Sequence, residues 1–307
     1  MNYLKENDIK KLEDMAYEIR KLTVEMTACS QWGHVGGSFS LAEILSTMYF
    51  KVLRVEPKQP KKRDRDYVVL SKAHCSPALY ATLALRGFFP VEKLYDYCKL
   101  GGLEGHLDML ETPGLEASGG SLGIGLSYSV GIAYGLKLKE GFAQRVYCIL
   151  GDGELSEGQI WEAAMSAGHY KLDNLIAVVD YNKVMAKGFV SDEMGQEPMA
   201  DRWRSFGWKV IEVDGHDVAD LYRAFYRAKY IEVNGKPICI IAHTVKGRGV
   251  EQCEFNYNWH THAPSVEKAE EFLKELAKRY GKPYEGIKRP PVKVDDGSLA
   301  AVIGGRA

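Results

Sequence analysis

Apolar residues at Ile9, Leu12, Met15, Ile19, Leu22 and Met26 return to one face at steps of three and four, which predicts an opening helix. Short apolar runs follow at Tyr67–Leu70, Val146–Leu150, Leu175–Val179, Lys209–Val213 and Ile238–Ala242. Each suits a strand buried on both faces, and the sequence between them has helical period. Strands alternating with helices imply an α/β domain, an open, doubly wound, mostly parallel sheet flanked by helices. A last helix is predicted from Ser265 as N-cap, through Val266, Ala269, Phe272, Leu273 and Leu276, to Gly281 as its stop. With no repeat and no linker before that point, residues 1–282 read as one domain. Residues 283–307, rich in Pro and Gly, read as an extended C-terminal tail lying on a neighbour.

Small residues add a second pattern. Gly123, Ser127, Gly131 and Gly135 recur every four positions along a predicted helix, and Ala163, Ala164, Ala167 and Gly168 cluster on another. A helical Gly costs roughly 1 kcal/mol against Ala, so such faces imply close approach by another helix, and we expect them at a subunit interface.

Composition narrows the function. The 307 residues carry a formal charge of -1 with both signs interspersed, which offers no basic face to nucleic acid or to anionic lipid. The charged N-terminal stretch lacks the apolar core of a secretory signal, and no run is long enough to span a bilayer. A cytoplasmic protein is expected. The six cysteines are spread singly, without C-x-x-C spacing, and read as reduced thiols.

The chemistry concentrates between Gly151 and Val184. The run RVYCILGDGELSEGQIWEAAMSAGHYKLDNLIAVVDYNKV is strand, Gly-bounded turn, helix, strand and turn. It places Asp152 and Asn182 at the carboxyl ends of parallel strands, where open α/β sheets bind ligands. A carboxylate, an amide oxygen and the Val184 carbonyl are hard donors suited to Mg²⁺ or Ca²⁺. Gly151 and Gly153 let backbone N–H groups approach a diphosphate. A bare GDG is common after strands; a second strand ending in VVDYN, with Asn182 thirty positions beyond Asp152, is not.

This spacing resembles the thiamine-diphosphate fingerprint, and four further segments resemble the amino-terminal half of transketolases: GHVGGSFS (33–40), SKAHCSPALYATLALRG (71–87), GHLDMLETPGLEASGGSLGIGLSYSVG (105–131) and AHTVKGRGV…WHTHAP (242–264). The resemblance implies the thiamine-diphosphate-binding fold, with Asp152, Asn182 and the Val184 carbonyl on the metal. His74, Gly153 and His260 then contact the diphosphate, and Gly120 and Leu122 present backbone to the aminopyrimidine. His34, His106 and His260 face the sugar, with His34 and His260 as the proton-transfer pair, since imidazole can give and take a proton near neutral pH. Glu157 matches a family glutamate that reaches across a subunit interface; a first-turn Glu favoured by the helix dipole accounts for it equally well. His262 competes with His260 for the HTHAP assignment. His169, His216 and His243 read as structural.

By the same resemblance, the pyrimidine-binding domain and its activating glutamate have no matching segment here. The expectation is a split transketolase subunit, inactive alone and paired with a second subunit, two copies of each. It would transfer a two-carbon ketol unit from a ketose to an aldose. Alternatives are a 1-deoxyxylulose-5-phosphate synthase-like or 2-oxo-acid dehydrogenase-like subunit, or a non-catalytic binding subunit. Departures from the family pattern are Ala73-His74-Cys75, Ile124 and YNKVMAKGF. Of these, Met185 and Lys187 bear on substrate choice; pentose phosphates are the default, and a sugar with another terminal anion stays open.

Overall fold

The structure, a computed structural model, describes residues 4–139, 143–232 and 234–288. In chain order its main elements are α1 (Glu6–Ser30), α2 (Val35–Ser40), α3 (Ala42–Thr47), β1 (Tyr67–Leu70), α4 (Ser76–Arg86), α5 (Ile124–Lys137), β2 (Val146–Gly151), α6 (Gly158–His169), β3 (Leu175–Tyr181), α7 (Val190–Met194), α8 (Met199–Ser205), β4 (Lys209–Asp214), α9 (Val218–Tyr226), β5 (Ile238–His243) and α10 (Val266–Arg279). All five strands pair in parallel, in the order β1-β2-β3-β5-β4. The expected strands form at the expected places, each running one or two residues further at its carboxyl end except β1.

Successive residues of a strand point to opposite faces, and both faces here are covered. Tyr147, Ile149, Ile176, Val178, Ile238 and Ile240 face a core shared with α1, α3, α4 and α9. Val146, Cys148, Leu150, Leu175, Ala177, Val179 and Ile241 face a second core built with α5, α6 and α8. That two-sided burial is why β2, β3 and β5 read as continuous apolar runs; β4, expected to be buried on both faces, instead lies at the sheet edge with Ile211 and Val213 buried and Glu212 and Asp214 exposed. A third cluster packs α10, through Phe272 and Leu276, onto α1 and onto Val35 and Phe39 of α2. Ser265 caps α10 as expected, its Oγ accepting from the Lys268 N–H at 3.2 Å.

The two small-residue faces diverge. Ser127, Gly131 and Gly135 lie on the exposed side of α5, and beyond the chain neighbours and the helix's own backbone no heavy atom of the described residues comes within 4 Å of a Cβ built on either glycine. Gly123 sits just outside the helix as its N-cap, at φ 87°. The Ala163, Ala164, Ala167 and Gly168 face, expected at a subunit interface, is instead used within the chain. The three alanines are buried in the second core, and a Cβ on Gly168 would meet the Phe206 carbonyl at 1.9 Å.

Residues 283–288 lie against the domain: Glu285 pairs with Lys21 of α1 at 3.0 Å, and the Ile287 N–H donates to Glu270 of α10. The remainder of the expected tail, residues 289–307, lies outside the described residues.

Candidate functional site

Four adjacent strands, β1, β2, β3 and β5, deliver their carboxyl ends to one edge of the sheet. Ser71 and Lys72 follow β1, Asp152 and Gly153 follow β2, Asn182 follows β3, and Thr244 to Lys246 follow β5. Between them lies a cleft of about 170 Å³ lined by His74, Leu122, Asp152, Gly153, Glu157, Asn182, Val184 and His260, and also by Lys72 and Lys246. Eight of the site residues proposed from the sequence thus meet at one place.

Asp152 is almost fully buried; its two oxygens accept from the backbone N–H groups of Gly153 and Lys183. Burial, reinforced by nearby Asp180, pushes its carboxyl up to about 7. Asn182 is equally enclosed. Its Nδ2 donates to Asp180 at 3.0 Å, and its Oδ1 accepts from the Val184 N–H at 3.1 Å. The Val184 carbonyl accepts from Lys246 Nζ at 2.8 Å. Gly153 has no room for a side chain, because a Cβ there would lie 2.9 Å from Met185 Cγ. A carboxylate, an amide oxygen and a carbonyl beside two lysines fit a hard divalent cation with a diphosphate. Asp152, Asn182 and Val184 would hold the cation, while Gly153 and the lysines would face the phosphates.

Next to this cleft the imidazoles of His34, His74, His106 and His260 converge from four segments. Ring centroids stand 5.2 Å apart for His34 and His74, 5.5 Å for His34 and His260, 5.0 Å for His74 and His260, and 6.2 Å for His34 and His106. Burial, with neighbouring cations and imidazoles, disfavours the charged ring. It lowers His34 to about 4 and His260 to about 3, and holds His74 well below its usual value. These three rings are therefore neutral near pH 7. His34 Nδ1 is buried and has no hydrogen-bond partner among the described residues.

The structure brings His260 into this group and leaves His262 exposed, its Nδ1 facing the Asn258 carbonyl. Gly120 is exposed beside His106, whose Cδ2 is 4.0 Å from where a Cβ would stand. Glu157 is exposed at the mouth of the cleft, as the N-cap residue of α6 but without a capping side-chain bond. Of the histidines read as structural, His216 has a defined job. Its Nε2 accepts from the Val245 N–H at 2.8 Å, so its Nδ1 bears the proton toward Glu43, 2.9 Å away. Glu43 is fully enclosed, yet Arg20 holds it ionised, lowered to about 2. This chain of contacts fixes the loop that carries Lys246.

Sequence reasoning missed four buried ionic groups. Lys72 and Asp180 form an ion pair beneath the cleft. Glu154 ties three ligand-facing loops together by accepting from Ser71 Oγ, Gly123 N and Gly151 N. Lys246 Nζ grips the Val184 and Met185 carbonyls and His260 Nδ1. Each lies inside a segment already noted, SKAH, GDGE, VVDYN or TVKGRG, so the available signal was a charge placed beside an apolar strand end. Gly36 and Gly37, within the segment GHVGGSFS, belong to the short helix α2. A Cβ on Gly36 would meet the Trp259 carbonyl at 2.9 Å, and one on Gly37 would meet Cys75 Sγ at 2.8 Å.

A parallel sheet with hard oxygen donors and cations gathered past its strand ends suits the binding of a diphosphate cofactor. Comparison with known proteins specifies it. The model of the transketolase thiamine diphosphate binding domain matches residues 12–290, and the chain belongs to the transketolase family. A 6-deoxy-6-sulfo-D-fructose transketolase subunit of Clostridium sp. (strain MSTE9) is 44% identical over 79% of this chain and 88% of its own length. An apulose-4-phosphate transketolase subunit of Phocaeicola vulgatus is 40% identical over 89% and 96%. Transketolase of Pichia stipitis, solved with sedoheptulose 7-phosphate, superposes with TM-score 0.83 at 32% identity, over 92% of this chain and 42% of that one. The chain therefore spans under half of such a transketolase and most of the length of the two separate subunits. It corresponds to the amino-terminal subunit of a split transketolase, a transferase that binds thiamine diphosphate.

Proposed function

We propose that this chain supplies the diphosphate, metal and hydroxyl-reading half of a ketol-transferring site, and that a second polypeptide, in two copies with two of this chain, supplies the rest. The observation that carries the reading is the convergence of Asp152, Asn182 and the Val184 carbonyl with four imidazoles at one sheet edge. Thiamine diphosphate supplies a stabilised carbanion when bound. Everything else derives from the chain's own groups. Asp152, Asn182 and Val184 hold Mg²⁺, or Ca²⁺ in its place; Lys72, His74, Gly153 and His260 face the diphosphate; Gly120 and Leu122 border the pyrimidine side.

Proton transfer falls to the histidines. Lys246 donates to His260 Nδ1, so His260 presents Nε2–H and acts as a fixed donor to a sugar oxygen. His34 and His106 are then free to read hydroxyls and accept the proton released as a carbonyl forms. Glu157, at the rim, faces the second polypeptide.

The relatives are named for substrates bearing a sulfonate or a phosphate, and we infer a sugar with a terminal anion for this chain as well, acting in the cytoplasm. The test is to purify the chain together with its partner, then to supply thiamine diphosphate and Mg²⁺. Ketose with an aldose acceptor should turn over and pyruvate should not. Turnover of pyruvate alone would overturn the reading.

A further inference from the structure

Asp180 is the last fully buried residue of β3, paired across the sheet with Gly151 on one side and Ala242 on the other. Its carboxylate accepts from Ser40 Oγ at 2.6 Å, from Asn182 Nδ2 at 3.0 Å, and from Lys72 Nζ and Thr244 Oγ1. Three other segments, with Asn182 of its own, therefore converge on one anion that has no solvent contact and does not line the cleft.

We infer that Asp180 is a positioning residue for the metal site: it holds the Asn182 amide with its nitrogen turned inward, and so aims Oδ1 at the cation. This rests on the reading of Asn182 as a metal ligand. An amide has a donor end and an acceptor end of the same shape, and only its surroundings decide which faces the ion. Here both ends are specified. Nδ2 meets a carboxylate that can only accept, and Oδ1 meets the Val184 N–H, which can only donate. A flipped amide would set oxygen against carboxylate and N–H against N–H. The same arrangement keeps Val184, whose carbonyl is the third proposed donor, in register with the other two.

The test uses the full chain purified with its partner, thiamine diphosphate present, and Mn²⁺ as a probe read by electron paramagnetic resonance. Asp180→Asn should weaken Mn²⁺ binding by roughly 10- to 100-fold, the usual effect of removing a group that orients a ligand. Asn182→Asp should also weaken it, although a carboxylate is by itself the better ligand for a hard cation, because the new oxygen faces Asp180. The exchanged pair, Asp180→Asn with Asn182→Asp, restores a donor facing an acceptor and should bind at least about tenfold tighter than either single variant. Circular dichroism and melting identify any variant that fails to fold; if Asp180→Asn does, Asn182→Asp and the exchanged pair decide. Asn182→Asp binding as tightly as the parent, or no recovery in the exchanged pair, overturns the inference. Asp152→Ala separates the underlying reading: unaltered Mn²⁺ binding there removes the metal assignment itself, whereas loss there with Asp180→Asn within about twofold of the parent removes only the role of Asp180.

Discussion

Lys246 Nζ donates to His260 Nδ1 across 2.8 Å, and its other two protons go to the carbonyls of Val184 and Met185. An ammonium with three acceptors leaves the imidazole one option, a proton on Nε2. After burial, Lys246 is the largest influence holding His260 down at about 3. Lys246→Met should therefore raise the His260 pKa while leaving it below the usual histidine value, since burial persists. Nuclear magnetic resonance titration of the ring carbons reads this directly; an unchanged value would mean that the lysine does not govern the ring.

Acid should loosen the fold through the same cluster. Unfolded histidines take up protons near pH 6.5, while folded His34 and His260 resist until about 4 and about 3. Between those limits the unfolded state binds more protons, so stability is complete above about pH 6.5 and declines as pH falls toward 3. Replacing both His34 and His260 with Gln should flatten this dependence. Melting temperature measured from pH 7.5 to 4 in both proteins checks it, and parallel curves would refute it.

Metal and cofactor should stabilise together. Thiamine diphosphate with Mg²⁺ at 100 times the dissociation constant adds about 2.7 kcal/mol to a protein that binds them only when folded. The gain should vanish with chelator and be absent in Asp152→Ala. A thermal shift that survives either treatment would contradict the assignment of Asp152.

Glu154 is a structural clamp with consequences for the site. Glu154→Ala orphans Ser71 Oγ and the N–H groups of Gly123 and Gly151, and each buried orphan costs about 1–3 kcal/mol. Chemical denaturation should show a loss of about 3 kcal/mol or more for Ala, and a smaller one for Gln, which keeps an acceptor oxygen.

Gly131 offers a test of assembly. A Cβ there meets nothing within 4 Å in the described part of this chain beyond its chain neighbours and its own helix backbone. Gly131→Leu should leave the chain folded, and stabilise α5 by up to about 1 kcal/mol, while disrupting association with the partner. Size-exclusion chromatography with light scattering on the two polypeptides together, beside melting of this one alone, distinguishes the effects. Intact assembly would show that the exposed face of α5 is not an interface.

How far these features were legible from the chain depends on what generated each pattern. The strands were readable because both faces of the sheet are covered, so Val146–Leu150 and Leu175–Val179 had to be apolar throughout. Asp152 and Asn182 stood out by their spacing past two strand ends, and the histidine segments by their resemblance to a family; the structure gathers both at one sheet edge. Asp180, Lys72 and Glu154 were not readable. A buried charge is tolerable only when its partners arrive from elsewhere, and Lys72 and Asp180 stand 108 positions apart, Ser71 and Glu154 83 apart. Hydrophobic period does not register such pairs. Nor does residue type separate the two small-residue faces: Gly131 and Gly168 look alike until the Phe206 carbonyl is found against one and open space against the other.

The outer face of α5 and its surroundings also carries Tyr128, Tyr134, Leu138, Met165 and Tyr170, all substantially exposed. Apolar surface gathered in this way is adhesive toward whatever it meets first. If a second polypeptide covers this face, copies produced ahead of it would be the ones prone to self-association. Matched synthesis of the two chains would protect the yield of complete enzyme more than any further gain in the stability of this one.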